Sequence, residues 1–542
     1  MGRYKKISVY EKDFFTRSQK ERGRQDNAPI PSISRAYHAH EEPPTMAEKG
    51  SHAQTARTPS HETDANPTHH EQDPAQEVLT APETKSEPTS PPPLQPNEPP
   101  PPPNGGYGWV CTFCCAMINA HTWGLNSSFG VFLAHYLDND VFPGGNYLSY
   151  AFVGSLSISC SMLISPVATT TTRLWGTKVT LGIGVVLETI SLIGASFATQ
   201  IWQLFLSQGV CFGLGMGFMF VGSVGIVPQW FTTRRSLANG FATSGSGFGG
   251  LLYSLATGAM IESIGLSWAF RVLGILACVV NTVCTVLIKD RNKIIGSSQL
   301  AFDTTLFRRA EYNLMLGYGW FSLLAYVVLI FSLANYARTI GLSALQAANV
   351  SALLNLGQAL GRPPIGYFSD SIGRLNMATV MSFTSGLFSL VIWVFADNYG
   401  VLIFYALLGG TVAGTFWATV APVSVEVVGL RNVPSALNIL WLILVLPSTF
   451  SEPIALQIVD GTGSYLGAQL FVGFMYIAAA ACMLFVRGWK IGEEDELARL
   501  KGGDAEEYGP AAAETSPSSI AEAAKAAGRR GMVANCWKWR KV

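Results

Sequence analysis

The chain has 542 residues, of which 49% are hydrophobic and only 13% are charged, and its formal net charge at pH 7 is zero. A soluble protein of this length needs far more charge, so this class is excluded, and we expect no nucleic-acid partner. The 54 glycines suit helices that approach one another closely in a membrane. The composition therefore predicts a helical membrane protein with many spans.

Residues 1–103 differ from the rest of the chain. They are polar and end in a proline run, Pro99 to Pro103. Such a segment has too little apolar surface to fold alone, and we interpret it as a disordered cytosolic tail. Because Met46 offers a second start, whether residues 1–45 are genuine stays open.

Twelve apolar stretches follow, each near the ~20 residues that cross ~30 Å of hydrocarbon. Backbone groups in lipid must be satisfied within their own segment, so we predict helices. Their approximate bounds are 107–134, 148–170, 179–198, 202–228, 236–261, 268–288, 312–337, 343–367, 376–396, 400–425, 433–457 and 465–486. Lys and Arg concentrate in alternate connections, which predicts that these connections and both termini are cytosolic. The expected location is the plasma membrane.

Two sequence blocks carry a family resemblance. The first is Asn104-Gly105-Gly106-Tyr107-Gly108-Trp109, and the second runs from Trp230 through Arg234 and Arg235 to Gly240. Together they resemble the signatures of the monocarboxylate porter family of the major facilitator superfamily, over about residues 104–488. The resemblance implies an all-α membrane protein of twelve helices in two pseudo-symmetric six-helix bundles, which transports a small organic solute by alternating access. The signature residues are Gly105, Gly106, Gly108, Trp109, Arg234, Arg235 and Gly240.

An internal repeat agrees with two halves. Gly366 to Arg374 resembles the superfamily's G-x-x-x-D-x-x-G-R loop, and a degraded copy around Arg173 and Gly176 follows the second span. We expect an N-terminal bundle over 104–289, a cytosolic connection over 290–311, a C-terminal bundle over 312–488 and a cytosolic tail over 489–542. That tail is expected to be solvated, although its basic end offers a contact with anionic membrane lipid.

The charges near the repeat loop predict a latch. Asp370 lies one turn before Arg374, and Glu426 and Arg431 are expected at the same membrane face, so an ion-pair cluster can form there. With Arg173 of the degraded copy, these are the residues we expect to hold one access state closed. The alternative is a solvated loop with ordinary positive-inside charges.

Arg362 is the most informative residue within a span, since a charge at membrane depth is costly unless it faces protein or water. Asn355, Gln358 and Arg362 have the spacing i, i+3 and i+7, which places them on one helix face, expected to line the central cavity. The alternative is an arginine that reaches to the cytosolic interface.

The resemblance implies an aspartate one turn before this arginine and a lysine in the first helix, used in proton-coupled carboxylate binding. Gln358 and Ser127 occupy these positions here, so lactate or pyruvate symport is in doubt. The expected substrate-binding residues are Arg362, Gln358, Asn355, Ser127, Asn126, Asn119 and Trp417.

Proton coupling stays open beside uniport and exchange. The candidate proton carriers are Glu188, Glu262, Glu426 and Glu452, and for each of them the alternative is a structural role. His121 could relay a proton, but a hydrogen-bonded structural histidine is the better interpretation. No nucleotide-binding loop, nucleophile elbow or metal-spaced histidine pair stands in a polar setting, so we expect neither an enzyme nor a cofactor or metal.

Gly209, Gly213 and Gly217 of the fourth helix are expected to face the glycines of the fifth helix.

Other functions fit the same pattern. The chain could export a metabolite of a biosynthetic pathway, or act as a nutrient receptor that binds without transport. The sequence leaves open the solute, the direction, the coupling ion, the oligomeric state and any accessory subunit.

Overall fold

The computed structural model describes residues 102–139, 141–143, 145, 147–297, 300, 302–503, 517–538 and 540–542. All of them belong to one unit, Pro91–Val542. Residues 1–101 lie outside the described residues, and with them almost all of the predicted N-terminal tail and the question of residues 1–45. The described residues contain helices and connections but no strand.

The N-terminal half contains six helical segments, α1 to α6. They are α1 (Tyr107–Asn119, a π-helical turn Ala120–Gly124, Leu125–Ser127 and Phe129–Asp138), α2 (Tyr147–Leu163 and Ser165–Trp175), α3 (Thr177–Ala195), α4 (Ile201–Leu204, a π-helical stretch Phe205–Cys211 and Phe212–Val224), α5 (Arg235–Ile264) and α6 (Leu266–Leu287).

The C-terminal half contains six more segments and one shorter helix. They are α7 (Ala310–Thr339), α8 (Ala344–Ile372), α9 (Arg374–Val391), α10 (Tyr399–Ala413 and Thr415–Val428), α11 (Val433–Thr462), α12 (Leu466–Gly503) and α13 (Pro517–Asn535). The predicted all-α architecture with twelve long helical segments is confirmed for the described residues.

Eight of these segments are long and apolar enough to cross a membrane, and the two parts of α2, which meet at 42°, make a ninth if they form one span. The remaining three are α1, α5 and α8. Helix α1 is broken by its π-helical turn and again at Ser128, whereas α5 and α8 are rich in glycine and polar residues. Those residues have a place in the fold, because α5 and α8 pack against each other.

The contact between α5 and α8 joins the two halves through glycines. A Cβ atom on Gly240 would lie 2.5 Å from the carbonyl oxygen of Arg362, and one on Gly247 would lie 2.6 Å from the backbone nitrogen of Ala359. Small residues at these positions let the two backbones touch. A second contact between the halves joins α2 to α11, where the hydroxyls of Ser159 and Thr449 lie 2.7 Å apart.

The prediction that the glycines of the fourth helix face those of the fifth is wrong. Gly213 and Gly217 pack against the α2 backbone at Ser157 and Ser161, while Gly249 of α5 packs against Ala120 of α1. These glycines of α4 and α5 thus contact other helices although α4 and α5 are consecutive, and the sequence pattern does not record which helices are neighbours.

The expectation of a solvated C-terminal tail from 489 onward is also wrong. Helix α12 continues to Gly503, well past the predicted end at 486, and α13 returns along it in the antiparallel direction. Arg487, just past the predicted end of the last span, is only 5% exposed. It donates hydrogen bonds to the side chain of Asn376 at 2.5 Å and to the carbonyl of Cys536 at 2.7 Å. The sequence shows that these residues are polar, but it does not show that they form hydrogen bonds with one another.

A buried ion pair fixes α13 to α7. Glu311 is completely buried, and both of its carboxylate oxygens accept hydrogen bonds from Arg529, at 3.0 and 3.1 Å. These hydrogen bonds raise the pKa of the Arg529 guanidinium above its usual value. Removal of the arginine would leave a buried carboxylate without a counter-charge.

Arg529→Gln should therefore lower the free energy of unfolding by about 3 kcal/mol. We choose the low end of the range for loss of one member of a buried ion pair, because the Arg529 guanidinium is partly exposed. Thermal unfolding of the purified protein in detergent measures the loss. The matched control is Arg530→Gln, since Arg530 is exposed and has no ion pair among the described residues. Equal unfolding temperatures for the two variants would contradict the assignment.

Candidate transport site and gate

Arg362 lies between the two halves rather than at a membrane surface. It is 2% exposed, and its guanidinium donates to the carbonyl of Thr243 at 2.5 Å and to the hydroxyl of Ser246, both on α5. A third hydrogen bond, of 2.7 Å, goes to the side-chain oxygen of Gln358, one turn earlier on α8. The alternative of an arginine that reaches to the interface does not describe this structure.

No carboxylate among the described residues forms an ion pair with Arg362. Gln358, where the family pattern has an acid, instead accepts a second hydrogen bond of 2.7 Å from the hydroxyl of Tyr326. Two buried donors at this site have no hydrogen-bond partner, Nε of Arg362 and Nε2 of Gln358. Unpaired buried donors are costly, so the site has hydrogen-bonding capacity that the protein itself does not use.

Aromatic rings from both halves contact one another beside this site. Trp417 is 9% exposed, and its ring centroid lies 5.1 Å from Trp123, 6.1 Å from Tyr326 and 6.1 Å from Trp441. Trp123 belongs to the N-terminal half and the other three to the C-terminal half. We call Trp123, Tyr326, Trp417 and Trp441 the aromatic cluster. Tyr326 links it to Gln358, so the polar site and the apolar surface are adjacent.

The structure places the other predicted binding residues in two groups. Asn119 and Asn126 tie helices together within the N-terminal half: Asn119 donates to the carbonyl of Ala242 at 3.1 Å, and Asn126 accepts from Ser157 at 2.8 Å. Exposed Ser127 and half-buried Asn355 meet beside Gly250, where a Cβ atom would lie 3.1 and 3.2 Å from their side chains. Of the predicted set, Ser127, Asn355, Gln358, Arg362 and Trp417 lie between the halves.

An ion cluster lies at one end of the interface between the halves. Arg374 lies 3.2 Å from the carboxylate of Asp370 and also contacts that of Glu426. It reaches the N-terminal half as well, by donating to the carbonyl of Thr232 at 2.7 Å. Asp370, Arg374 and Glu426 form what we call the gate cluster. The predicted ion-pair cluster thus contains three of its five residues.

Arg431 and Arg173 do not join the gate cluster. Both are exposed and form no ion pair among the described residues. In their place, Asp370 accepts hydrogen bonds from the backbone nitrogens of Ser236, at 3.1 Å, and Leu237, at 2.9 Å. These are free N–H groups of the first turn of α5, which favour a negative charge. Sequence reasoning missed them because backbone donors leave no mark in the residue types.

The two signature blocks form a single unit beside the gate cluster. The Asn104 side chain accepts from the backbone nitrogens of Thr232, at 2.5 Å, and Thr233, at 3.0 Å. A Cβ atom on Gly108 would lie 2.8 Å from Cβ of Trp230. Gly105 and Gly106 form the turn into α1, where Gly106 has a φ of 59°. The ring centroids of Trp109 and Phe231 lie 5.0 Å apart. Of the two signature arginines, Arg235 is buried and Arg234 is exposed. The signature therefore fixes the entry of α1 to that of α5.

The family model for the Major Facilitator Superfamily matches residues 109–310 and 314–537. The chain belongs to the major facilitator superfamily. It is 31% identical over 406 residues to the probable transporter MCH2 of Saccharomyces cerevisiae, a match that covers 73% of this chain and 85% of the relative. Human monocarboxylate transporter 10 is 25% identical over 434 residues, with coverage of 76% and 84%. The predicted resemblance to monocarboxylate transporters is confirmed.

Two further comparisons agree. The fujikurin efflux protein of Gibberella fujikuroi is 26% identical over 388 residues, covering 69% of this chain and 80% of the relative. The crystal structure of the Escherichia coli fucose:proton symporter superposes with a TM-score of 0.54 at 13% identity, over 70% of this chain and 99% of that one, and shows the shared fold. The chain is thus a membrane transporter for a solute, and members of its family are not enzymes.

The candidate proton carriers lie in different surroundings. Glu262 is exposed at the end of α5, and Glu426 belongs to the gate cluster. Glu188 accepts from Asn281 at 2.9 Å between α3 and α6, and Glu452 accepts from Ser332 between α11 and α7. His121 contacts the carbonyl of Met117, one turn back, at 2.8 Å, as a structural histidine would.

The latch hypothesis predicts that Asp370→Asn opens the gate-cluster end of the transporter. Charged hydrogen bonds are worth about 2 kcal/mol each, so loss of one net interaction should raise the ratio of open to closed molecules about 30-fold. The measurement is the distance between spin labels on Arg173→Cys and Arg431→Cys, two exposed positions in opposite halves.

Longer distances in the Asp370→Asn protein are the expected result. The control is Asp397→Asn, because Asp397 is exposed and forms no ion pair among the described residues. An unchanged distance distribution in Asp370→Asn would show that the cluster is an ordinary surface ion pair.

Proposed function

We propose that this transporter moves a small organic anion, a carboxylate with an apolar portion, across the plasma membrane by alternating access, with Arg362 as the group that binds the carboxylate. The observation that carries the proposal is that Arg362 is buried between the halves and has no acidic partner among the described residues. The gate-cluster end, with both termini, is the cytosolic end in this proposal, in agreement with the distribution of positive charge.

The physical argument concerns the missing counter-charge. A cation at membrane depth is retained where it pairs with another charge or serves the transport path. Gln358 stands where the family pattern has an acid, so in the part of the chain that the structure describes no carboxylate competes for Arg362. A substrate carboxylate would supply the absent negative charge, and an arginine presents parallel donors that match it.

The apolar portion of the substrate is inferred from Tyr326. Its hydroxyl bonds to Gln358 at 2.7 Å and its ring packs on Trp417, so any molecule bound at Arg362 meets aromatic rings within one side-chain length. Aromatic surfaces of this kind favour a solute with an apolar or aromatic part. Lactate and pyruvate offer little such surface.

Alternating access is supported by where the halves touch. The described contacts of α5 with the C-terminal half lie between Ser236 and Gly250, although α5 continues to Ile264. The halves are therefore closed at the gate-cluster end. Because Arg362 itself bonds to Thr243 and Ser246 of α5, separation of the halves there would release its donors. Carboxylate binding and the closed arrangement of the halves would then compete for one guanidinium.

The proposal predicts that Arg362→Gln lowers carboxylate uptake by at least about 10-fold, since charged hydrogen bonds contribute about 1.5–3 kcal/mol. The measurement is uptake of labelled benzoate, phenylacetate, lactate and a neutral aromatic alcohol into liposomes that contain the purified protein. Arg338→Gln is the matched control, because Arg338 is exposed at the end of α7 and bonds only to the carbonyl of Leu342 among the described residues.

Transport of the neutral alcohol with no effect of Arg362→Gln would contradict the proposal. Binding without flux would support the receptor function instead. Uptake and efflux should be measured with the protein in both orientations, because one similar protein is named as an efflux protein and another as a monocarboxylate transporter.

A second variant tests the role of the missing acid. Gln358→Glu places a carboxylate 2.7 Å from Arg362, where it would pair with the guanidinium and compete with the substrate. We expect the KM for the transported acid to rise about 10-fold or more at neutral pH and to fall when acidic pH neutralises the new carboxyl. A KM that is independent of pH would show that the substrate binds elsewhere.

A further inference from the structure

Glu452 lies in an unusual place for a carboxyl group. It is 7% exposed on α11 and precedes Pro453. It lies ten residues before the end of α11 at Thr462, about 15 Å along a helix that rises 1.5 Å per residue, and so well away from the end of the helix. Its two oxygens lie 3.0 and 3.1 Å from the hydroxyl of Ser332 on α7.

This environment does not satisfy an ionised carboxylate. The Ser332 hydroxyl has one proton and can serve only one oxygen at a time. No Lys, Arg or His among the described residues forms an ion pair with Glu452. An unpaired charge in a low-dielectric interior is costly, whereas a carboxylic acid could donate its proton to a neighbouring acceptor.

The other titratable groups on the neighbouring helices do not compensate a charge. Tyr336 of α7 and Tyr476 of α12 donate to backbone carbonyls, of Ala396 at 3.3 Å and Ala413 at 3.2 Å. None of the charged side chains described on α2, α7, α10 and α12 forms an ion pair with Glu452. They are Arg173, Glu311, Arg338, Glu426, Arg487, Lys490, Glu493, Glu494, Asp495, Glu496 and Arg499.

Glu452 lies near a contact between the two halves and near the binding site. Thr449, one turn before Glu452, makes the 2.7 Å contact with Ser159 that joins α11 to α2 across the halves. Pro453 lacks the N–H that the carbonyl of Thr449 would otherwise receive, so the helix is weakened at this turn. On α7, Ser332 lies six residues after Tyr326, about 9 Å along the axis, and Tyr326 bonds to Gln358 beside Arg362.

We propose that Glu452 is the proton-carrying group of this transporter, in place of the acid that is missing at Gln358. The inference deepens the proposed function, on which its coupling to solute rests. The carboxylate accepts one proton from water on one side of the membrane and is a neutral acid in the closed state, and it returns the proton to water when α11 moves away from α2 and α7. No other bond forms or breaks. The charge change occurs one turn from a contact that opens and closes, which links proton binding to the movement of the halves.

Glu188 provides the matched comparison. It is also a buried glutamate, 1% exposed, whose partner is Asn281. It lies between α3 and α6, however, both within the N-terminal half, and none of its described contacts crosses to the other half. Movement of the halves would leave its surroundings unchanged, so Glu188 should not exchange its proton during transport.

The first test needs no substrate. Infrared difference spectra of the full-length protein in liposomes, recorded between acidic and alkaline pH, report carboxyl groups that gain or lose a proton in an apolar environment. We expect a protonated-carboxyl band that disappears in Glu452→Gln, persists in Glu188→Gln and shifts in Ser332→Ala, which removes its hydrogen bond. A band that persists unchanged in Glu452→Gln, or that is lost only in Glu188→Gln, would overturn the proposal.

The second test measures coupling in the same liposomes with labelled phenylacetate and benzoate. Glu452→Gln should lose accumulation driven by an inward proton gradient, at least 10-fold against wild type, but keep exchange of labelled for unlabelled solute, which needs no net proton movement. Retained gradient-driven accumulation in Glu452→Gln would contradict the proposal. If the wild type moves neither acid, the proposed substrate class fails, whereas the infrared test still decides the role of Glu452.

Discussion

The placement of the Arg362 guanidinium between α5 and α8 is the constraint on which the rest of the structure depends. A charged side chain can be buried there only because two backbones touch beside it, through Gly240 and Gly247, and because Thr243, Ser246 and Gln358 provide acceptors. In the proposed mechanism, the interface that holds this guanidinium is the one that opens during transport. A charged residue of one half is hydrogen-bonded to the other half, and each proposed cycle exchanges those hydrogen bonds for others.

The gate cluster repeats this arrangement at the membrane edge. Asp370 uses the backbone N–H groups at the start of α5, and Arg374 uses the carbonyl of Thr232, so the C-terminal half closes on the first turn of one N-terminal helix. Asn104 binds the same loop from the other side. The two sequence signatures that mark the family are thus the supports of a closing surface. The C-terminal helix α13 strengthens the same end of the molecule through Glu311 and Arg529.

The sequence predicted the helices well because lipid imposes a simple rule on length and polarity. The twelve segments, the two halves' signatures and the meeting of Asp370, Arg374 and Glu426 follow from apolar runs and charge spacing. The packing partners of the helices were harder to predict from the sequence. Gly213 and Gly217 face α2 rather than α5, and Arg431 is exposed and forms no ion pair with its expected cluster. Buried Arg487 and helix α13 were missed because polar residues that satisfy one another have the same composition as a solvated tail.

The most direct test of the central claim is an experimental structure of the transporter with a bound aromatic carboxylate, such as phenylacetate. The account predicts the carboxylate oxygens within about 3 Å of the Arg362 nitrogens. It also predicts that the hydrogen bonds to Thr243 and Ser246 are lost and that the ring packs against Tyr326 or Trp417. A carboxylate bound elsewhere, with Arg362 still held by α5, would contradict the claim that this arginine binds the solute.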